Sequence, residues 1–268
     1  MSSILDKIIV QKKREVAQLY QKLAADAEHA LHTTTITQHA PRFFQKALRT
    51  QGKPAVLAEI KRRSPSRGEI AEIRAPESLA LAYAQGGAAA ISVLTDNPSF
   101  GGSLEDLRTV KRALAQTPYS VPILRKDFII DPLQLLESAQ AGAQAVLLIV
   151  SVLQKSLAEF LRESERLGLE ALVEVHSREE LELALDTGAS IIGVNQRNLQ
   201  SFAMVPEIFE DLAPYFPSHI TRVAESGIFT REQSQKVAAL GYHAILVGEA
   251  LVRSPEPMQL IQELKGRL

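Results

Sequence analysis

From residue 54 onward the chain repeats one pattern eight times: a short apolar run rich in Val, Ile and Leu, followed by a longer segment with helical periodicity. This alternation is typical of β/α units arranged around a parallel sheet. The apolar runs cover residues 54–62, 88–95, 121–128, 145–151, 170–176, 190–197, 220–227 and 243–249. Eight units in about 215 residues favour an α/β fold with a closed (β/α)₈ barrel over an open doubly wound sheet.

The segments between the runs contain clear helix signals. Helical periodicity is strongest at residues 103–115, 154–167, 178–186 and 231–239. Glycine, which commonly ends a helix, precedes the next run at Gly142, Gly168, Gly188 and Gly241. No linker rich in Pro, Gly or Ser interrupts the alternation, so we predict a single domain over residues 1–268 rather than two small ones.

The first 50 residues precede the alternation. Residues 4–23 predict an amphipathic, highly charged helix, and residues 41–48 predict a second helix that carries Phe43 and Phe44. We expect residues 1–50 to form a helical extension packed on a barrel of residues 51–268. A mobile arm is the alternative, but two adjacent aromatic side chains need an apolar surface to cover them.

The composition excludes several classes of function. Lys plus Arg number 30 and Asp plus Glu number 31, a net charge of −1 that argues against nucleic acid or a membrane surface as partner. The chain contains no Cys, which excludes disulfides, thiolate nucleophiles and cysteine-ligated metals. The N-terminus lacks a secretory signal pattern and no apolar run reaches membrane-spanning length, so we expect a cytoplasmic protein.

A barrel predicts that chemistry takes place at the C-terminal ends of its strands. In the first run, the two-residue alternation of a strand places Glu59 and Lys61 on one face and Val56, Ala58 and Ile60 on the other. The apolar set must face the helices, so the two charged residues point into the mouth of the barrel.

Polar residues stand at the ends of other runs as well. They are Lys126 in the third run, Glu174 and His176 in the fifth, Asn195 and Arg197 in the sixth, and Glu225 and Ser226 in the seventh. A single Lys or Glu at such a place is often a surface charge or a helix cap. Charges that converge on one cavity must neutralise each other or serve a reaction, because buried charge is costly. For His176, a structural role and a substrate-binding role both remain open.

The runs also suggest an anion site. Ser226, Gly227 and Gly248 follow the seventh and eighth runs, where barrels often bind phosphate through backbone N–H groups. Two ordinary turn glycines are the alternative. Residues 64–66, Ser-Pro-Ser, either supply a donor or form a plain turn. No nucleotide-binding glycine motif or hydrolase triad is recognisable, and His29 and His32 lack a third metal ligand.

These residues resemble the indole-3-glycerol phosphate synthase family over roughly residues 41–260. The matching motifs are AEIKRRSPSRG (58–68), TDNPSFGGSLEDL (95–107), LRKDFIIDP (124–132), LLIVSVL (147–153), LVEVH (172–176), IIGVNQRNL (191–199), VAESGI (223–228) and LVGEALVR (246–253). The resemblance implies a (β/α)₈ barrel with a short N-terminal helical extension. It further implies ring closure, decarboxylation and dehydration of 1-(2-carboxyphenylamino)-1-deoxyribulose 5-phosphate to indole-3-glycerol phosphate, with no metal or organic cofactor.

The resemblance also assigns roles to residues. Lys126 is the implied general acid for ring closure, and Glu59, Lys61 and Glu174 handle the proton transfers of dehydration, with acid and base not divided among these three. The other residues implied as catalytic are Asn195 and Ser226. Residues implied to contact the substrate are Arg197, Glu225, Phe100, Phe128, Leu147 and Ser64, and those at the phosphate are Lys61, Gly227, Gly248 and Glu249.

Two positions depart from the family pattern. Gln196 stands where many members have Asn or Ser, and Glu249 stands where some have Ser. We expect Glu249 to offer its backbone N–H to the phosphate and to turn its carboxylate away.

Alternatives to this function remain open at the level of sequence. A phosphosugar isomerase or lyase barrel would share the phosphate site, and a noncatalytic subunit would bind a phosphorylated metabolite without converting it. Because the chain ends at Leu268, we expect a monofunctional protein rather than a fusion with a second barrel of the pathway. Association with other enzymes of tryptophan biosynthesis is possible.

Overall fold

The computed structural model describes residues 3–33, 42–49 and 54–267. Eight parallel strands close into a barrel: β1 Ala55–Ile60, β2 Ala90–Leu94, β3 Ile123–Lys126, β4 Ala145–Ile149, β5 Glu170–Val175, β6 Ile191–Asn195, β7 Thr221–Glu225 and β8 Ala244–Val247. Strands that follow each other in the chain are neighbours in the barrel, and β8 closes it by pairing with β1, Ala244 opposite Ala55. The predicted (β/α)₈ barrel is confirmed.

Helices precede the barrel and connect its strands. They are α1 Ile4–Ala25, α2 Phe43–Arg49, α3 Pro76–Gln85, α4 Asn97–Phe100, α5 Leu104–Leu114, α6 Pro132–Ala141, α7 Val150–Leu153, α8 Leu157–Arg166, α9 Arg178–Asp186, α10 Ile208–Leu212, α11 Arg231–Ala239, α12 Glu249–Arg253 and α13 Pro257–Leu264. The described residues include no helix with the length and apolarity needed to cross a lipid bilayer.

Two apolar clusters lie on opposite faces of the sheet. Val56, Ala58 and Ile60 belong to the outer cluster, between the strands and the surrounding helices. Leu57 belongs to the inner cluster, which fills the barrel. The alternation predicted for the first run is therefore confirmed, and it directs Glu59 inward.

Helix α2 packs at the N-terminal end of the barrel. The backbone N–H groups of Phe44 and Gln45 donate hydrogen bonds to the carboxylate of Glu170, the first residue of β5, at 2.5 and 2.9 Å. The Phe44 side chain is completely buried in the inner cluster. The aromatic pair of the sequence thus supplies one residue that seals the barrel interior.

Helix α1 lies near the opposite end. The Lys12 ammonium is buried and is 2.9 Å from a carboxylate oxygen of Asp96 and 2.9 Å from one of Asp127, which follow β2 and β3. Asp127 also pairs with the buried guanidinium of Arg125 at 3.0 Å. These contacts favour a packed extension over a mobile arm; residue 41, the predicted start of the second helix, lies outside the described residues.

The boundaries of some elements differ from the prediction. The run predicted at 145–151 ends as a strand at Ile149, α7 follows directly, and the helix predicted from residue 154 begins at Leu157 after a 3₁₀ turn. The continuous apolar sequence LLIVSVL has no period that marks where its strand ends. Positive φ angles of 90°, 70°, 85° and 88° at the four predicted helix-ending glycines confirm that prediction.

Replacing Lys12 with Met should destabilise the fold. The substitution leaves two buried carboxylates without their shared cation, which costs about 3 kcal/mol in the free energy of unfolding. Urea unfolding monitored by circular dichroism measures this loss. The matched control is Lys13→Met on the exposed face of the same helix, expected to change stability by less than about 0.5 kcal/mol; equal effects of the two substitutions would contradict the buried ion pairs.

Candidate active site

One cavity opens at the C-terminal ends of the strands. It is lined by all the residues that the sequence analysis assigned to catalysis, substrate or phosphate: Glu59, Lys61, Ser64, Phe100, Lys126, Phe128, Leu147, Glu174, Asn195, Arg197, Glu225, Ser226, Gly227, Gly248 and Glu249. All eight barrel strands or the segments after them contribute to this set. The convergence expected for a barrel enzyme is present.

The floor of the cavity is a layer of charged side chains. Glu59, Lys126, Glu174 and Glu225 come from β1, β3, β5 and β7, as expected when alternate strands of a barrel fill one interior layer. The Lys126 side chain is 13% exposed and those of Glu174 and Glu225 are each 1% exposed. One ammonium group therefore shares a nearly dry layer with three carboxyl groups.

Lys126 lies between two of these carboxyl groups. Its Nζ is 3.3 Å from Oε2 of Glu174 and 3.4 Å from Oε2 of Glu225. Burial alone would lower the pKa of Lys126, but Glu174, Glu225 and Glu59 overcome that effect and hold the pKa well above its usual range. Lys126 is accordingly an ammonium group throughout the physiological pH range.

Glu174 and Glu225 have opposite protonation tendencies. Burial raises the pKa of each carboxyl. For Glu174, the charges of Lys126 and His176 and the amide of Asn195 more than offset burial and hold its pKa below the usual range. For Glu225, burial and the neighbouring Glu174 outweigh Lys126 and keep its pKa well above the usual range. The two directions favour a proton on Glu225 and a charge on Glu174 when the pair holds one proton.

The second ion pair of the site depends on Gly248. Lys61 Nζ lies 2.7 Å from Oε1 of Glu59. A Cβ atom at position 248 would collide with that oxygen and come within 3.1 Å of Lys61 Nζ. The φ angle of Gly248 is −116°, which other residues adopt readily, so the glycine provides space for the ion pair rather than an unusual backbone. This reason was absent from the sequence analysis, which linked Gly248 to phosphate alone.

Gly193 likewise provides space for the Glu225 side chain, and the sequence analysis did not identify this residue. Gly193 lies on β6, and a Cβ atom there would collide with Oε1 of Glu225. A glycine in the middle of a buried strand is the signal that would have identified it, because glycine weakens a strand unless another group needs its space.

The turn after β7 has a left-handed backbone. Ser226 and Gly227 have φ angles of 68° and 73°, and this conformation is strained for a serine. The Ser226 hydroxyl donates to Oδ1 of Asn195 at 2.8 Å, and the backbone N–H of Arg197 donates to the same oxygen at 2.9 Å. Asn195 thus joins the ends of β6 and β7 and directs its amide nitrogen away from these donors.

The loop after β1 reaches across to the loop after β6. Residues 63–64 pair with 68–69 as a two-residue antiparallel ladder, so Ser64-Pro65-Ser66 is part of a tight turn, with Ser64 at the cavity wall. The guanidinium of Arg197 donates to the Ser66 hydroxyl at 3.3 Å and to the carbonyl of Phe202 at 3.2 Å.

One wall of the cavity is apolar. The rings of Phe100 and Phe128 lie with centroids 6.1 Å apart, and Leu147 faces the same space. The sequence analysis missed further apolar lining residues: Leu94, Ile149, Leu199, Phe202, Ile228, Phe229, Leu246, Val247 and Ala250. Of these, Leu94, Ile149 and Leu246 have the inward strand parity that would have revealed them, whereas the residues on loops carry no periodic signal.

Two further residues from the sequence analysis, Glu249 and His176, have ion-pair partners outside the charged layer. Oε1 of Glu249 is 3.3 Å from Nε of Arg253 on the same helix, and Oε2 is 3.9 Å from Nε of Arg67. His176 does not line the cavity; its ring lies between Glu174 and Glu180. The described residues contain no group of three His, Asp or Glu side chains suited to a metal ion.

Comparison with known proteins agrees with this geometry. The family model described as indole-3-glycerol phosphate synthase matches residues 5–264. A protein of that name from Carboxydothermus hydrogenoformans is 42% identical over 97% of this chain and 98% of its own length. Another, from Opitutus terrae, is also 42% identical, and the match covers the whole of both chains. A solved thiamine phosphate pyrophosphorylase from Pyrococcus furiosus is 18% identical with a TM-score of 0.59, covering 82% of this chain and 96% of that one, and shows likeness of fold alone.

The space that Gly193 leaves for Glu225 can be tested by a double-mutant cycle. We expect Gly193→Ala to lower the free energy of unfolding by about 1–3 kcal/mol, because the new methyl group displaces a buried carboxyl. In a Glu225→Ala background the methyl group has room, so the same substitution should cost little or nothing. Equal costs in the two backgrounds, measured by urea unfolding, would show that Glu225 does not need this space.

Proposed function

The chain belongs to the indole-3-glycerol phosphate synthase family, and we propose that the charged layer of its barrel carries out that family's reaction. The reaction is a step of tryptophan biosynthesis that closes a ring in 1-(2-carboxyphenylamino)-1-deoxyribulose 5-phosphate and releases CO₂ and water to give indole-3-glycerol phosphate. The observation that carries the assignment of residues is the buried ammonium of Lys126, held between Glu174 and Glu225 at the cavity floor.

Lys126 is the acid of ring closure in this proposal. As the aromatic carbon that bears the carboxylate attacks C2 of the ketose, the electron pair of the ketone moves to oxygen, and Lys126 supplies the proton. A positioned acid is effective only when it carries its proton, and the surrounding carboxylates keep Lys126 charged. The C–CO₂ bond then breaks, and its electron pair restores the aromatic ring.

Dehydration needs a base and a second acid. Glu174 is held ionised and suits the base that removes a proton from the C1 side of the new ring. Lys61, paired with Glu59 at 2.7 Å on the other side of the layer, suits the donor that converts the departing C2 hydroxyl to water. The protonated Glu225 beside Lys126 resupplies the proton that ring closure consumes. Over one turnover the side chains give up two protons and regain one, and solvent supplies the remaining proton before the next turnover; none of these steps uses a metal or organic cofactor.

The rest of the cavity binds and orients the substrate. Phe100, Phe128 and Leu147 form a surface for the aromatic ring, since stacked and edge contacts favour such pairs. The Arg197 guanidinium suits the substrate carboxylate because its planar fork contacts both oxygens. Ser64 adds a hydroxyl donor at the wall, the Ser226 hydroxyl holds Asn195, and Asn195 orients Glu174.

The phosphate lies, in this proposal, where Lys61 meets the turns after β7 and β8. The backbone of Gly227 and the start of α12 at Glu249 present N–H groups to an anion there. The carboxylate of Glu249 pairs with Arg253, which supports the expectation that it turns away from the phosphate. A crystal structure with phosphate bonded to that carboxylate would refute this placement.

A noncatalytic binding role is the weaker alternative. Binding a phosphorylated metabolite does not require three carboxyl groups and an ammonium in a dry layer, and such burial costs stability. The layer is complete in this chain, with glycines at 193 and 248 that accommodate it. These features support an enzyme of the lyase class.

We also propose one domain over residues 1–268, with residues 1–50 as an extension of the 51–268 barrel, supported by the contacts of Lys12 and Phe44. A cytoplasmic location fits the absence of Cys. Exposed Phe229 lines the cavity, exposed Met204 lies beside the cavity residue Gly227, and exposed Val205 follows it in the chain; these side chains suit an association with other enzymes of the pathway. Co-purification with and without charged substitutions at these three positions tests that association.

Lys126→Ala should lower kcat by about 10²–10⁴ while leaving the melting temperature close to that of the wild type, because a positioned general acid contributes this much. Fluorescence of the indole product measures turnover, and the chain contains no Trp to contribute background. Lys155→Ala, at an exposed position that does not line the cavity, is the control and should retain full activity. A Lys126→Ala enzyme within a few-fold of the wild type would remove Lys126 from this role.

Gly248→Ala should lower kcat at least about tenfold as well as raising KM. The added methyl group displaces the Glu59–Lys61 pair, which the proposal uses in chemistry, and not only the backbone near the phosphate. Steady-state kinetics separate the two parameters. An increase in KM with kcat unchanged would restrict Gly248 to phosphate binding.

A further inference from the structure

His176 lies directly behind the active-site layer. It follows β5, the strand that carries Glu174, and its side chain is only 9% exposed. Nε2 of its ring is 3.2 Å from Oε1 of Glu174, and Nδ1 is 3.1 Å from Oε2 of Glu180 on α9. The ring therefore bridges a carboxylate of the cavity floor and one outside the cavity.

This geometry favours a charged ring. An ionised carboxylate has oxygens that only accept hydrogens, so each ring nitrogen that faces one must carry a hydrogen. A neutral imidazole has one such nitrogen, whereas the imidazolium has two. Burial works against the charge, but the two flanking glutamates overcome it and raise the pKa of His176 to about 10.

Glu180 fixes the ring in place. Its Oε2 accepts a hydrogen bond from the His176 backbone N–H at 2.7 Å in addition to the contact with Nδ1. The backbone of Glu180 is itself held in place, because its N–H donates a hydrogen bond to the hydroxyl of Ser177, the residue that caps α9, at 3.2 Å. The helix that follows β5 therefore anchors the histidine.

Both carboxylate oxygens of Glu174 contact a basic side chain. Lys126 from β3 faces Oε2, and His176 faces Oε1. The other groups that approach Glu174 among the described residues are the carboxyl of Glu225 from β7 and the amide of Asn195 from β6. The Nε2 contact is electrostatic rather than an aligned hydrogen bond, since neither of its atoms has a hydrogen-bond partner of good geometry.

We propose that His176 is a positioning residue for the reaction: held as an imidazolium by Glu180, it orients Glu174 and keeps the proton of the Glu174–Glu225 pair on Glu225. The inference rests on the proposed role of Glu174 as the base. His176 acts through Glu174 and does not line the cavity, so its loss should affect turnover more than binding.

Nitrogen NMR of the enzyme labelled at histidine tests the charge directly. The His176 signals, assigned by their loss in His176→Gln, should show both ring nitrogens protonated at pH 8, which is above the pKa of an unperturbed histidine. A neutral His176 ring at pH 8 would overturn the proposal. This readout does not depend on catalytic activity.

Kinetics test the effect on the reaction. His176→Gln keeps a donor but removes the charge, and it should lower kcat about tenfold with KM within about twofold of the wild type. His219→Gln is the matched control and should leave both parameters unchanged. A His176→Gln enzyme with wild-type kcat would refute the positioning role.

Glu180→Gln separates positioning from a purely structural role. Removing this carboxylate should lower the pKa of His176 by about one unit or more, and kcat should fall as the pH rises through the midpoint that NMR reports for the ring. A kcat that does not follow that midpoint would refute the coupling. This variant keeps the histidine and carries the test if His176→Gln does not fold.

The proposal can fail independently of the proposed function. Glu174→Gln should be nearly inactive if Glu174 is the base. An inactive Glu174→Gln enzyme together with an unaffected His176→Gln enzyme would refute only the positioning role. An active Glu174→Gln enzyme would refute the assignment of the base itself.

Discussion

A lysine ammonium buried between two glutamates is the interaction on which the rest of the site depends. Removing Lys126 from water is favourable only because carboxyl groups surround it, and bringing Glu174 and Glu225 together is possible only because Lys126 lies between them. The charged groups face each other in pairs: Lys126 faces Glu174, Lys61 faces Glu59 and His176 faces Glu180, and the raised pKa of Glu225 favours its neutral form. The mutual dependence fixes the protonation states that the proposed chemistry uses.

The barrel makes this arrangement possible by geometry alone. Alternate strands deliver side chains to one layer, and the glutamates and the lysine occupy such a layer on β1, β3, β5 and β7. The intervening strands leave room for it. Gly193 on β6 opposes Glu174 in the sheet and leaves space for Glu225, and Gly248 after β8 leaves space for the Glu59–Lys61 pair. The charged layer therefore packs in the barrel only because glycines stand at these two neighbouring positions.

Sequence patterns predicted the parts of the site that follow from strand parity. Strand parity predicted that Glu59 and Lys61 point inward, because their apolar neighbours had to face the helices, and the eight runs predicted the barrel. The patterns did not reveal why Gly193 and Gly248 are glycines, or that a second carboxylate at Glu180 makes His176 cationic, because these depend on contacts between elements. Phe202 and Phe229 were missed because loops have no period. The strand end at Ile149 was missed because its apolar run continues into α7.

The central claim is that Lys126 protonates the ketone oxygen at C2 of the substrate. A crystal structure with a substrate analogue in which that ketone is reduced to an alcohol tests it most directly. The account predicts that Lys126 Nζ lies within about 3.2 Å of the C2 oxygen and keeps its contacts with Glu174 and Glu225. A C2 oxygen more than about 5 Å from Lys126 and bonded to Lys61 instead would contradict it, because an acid must be within hydrogen-bond reach of the atom that it protonates.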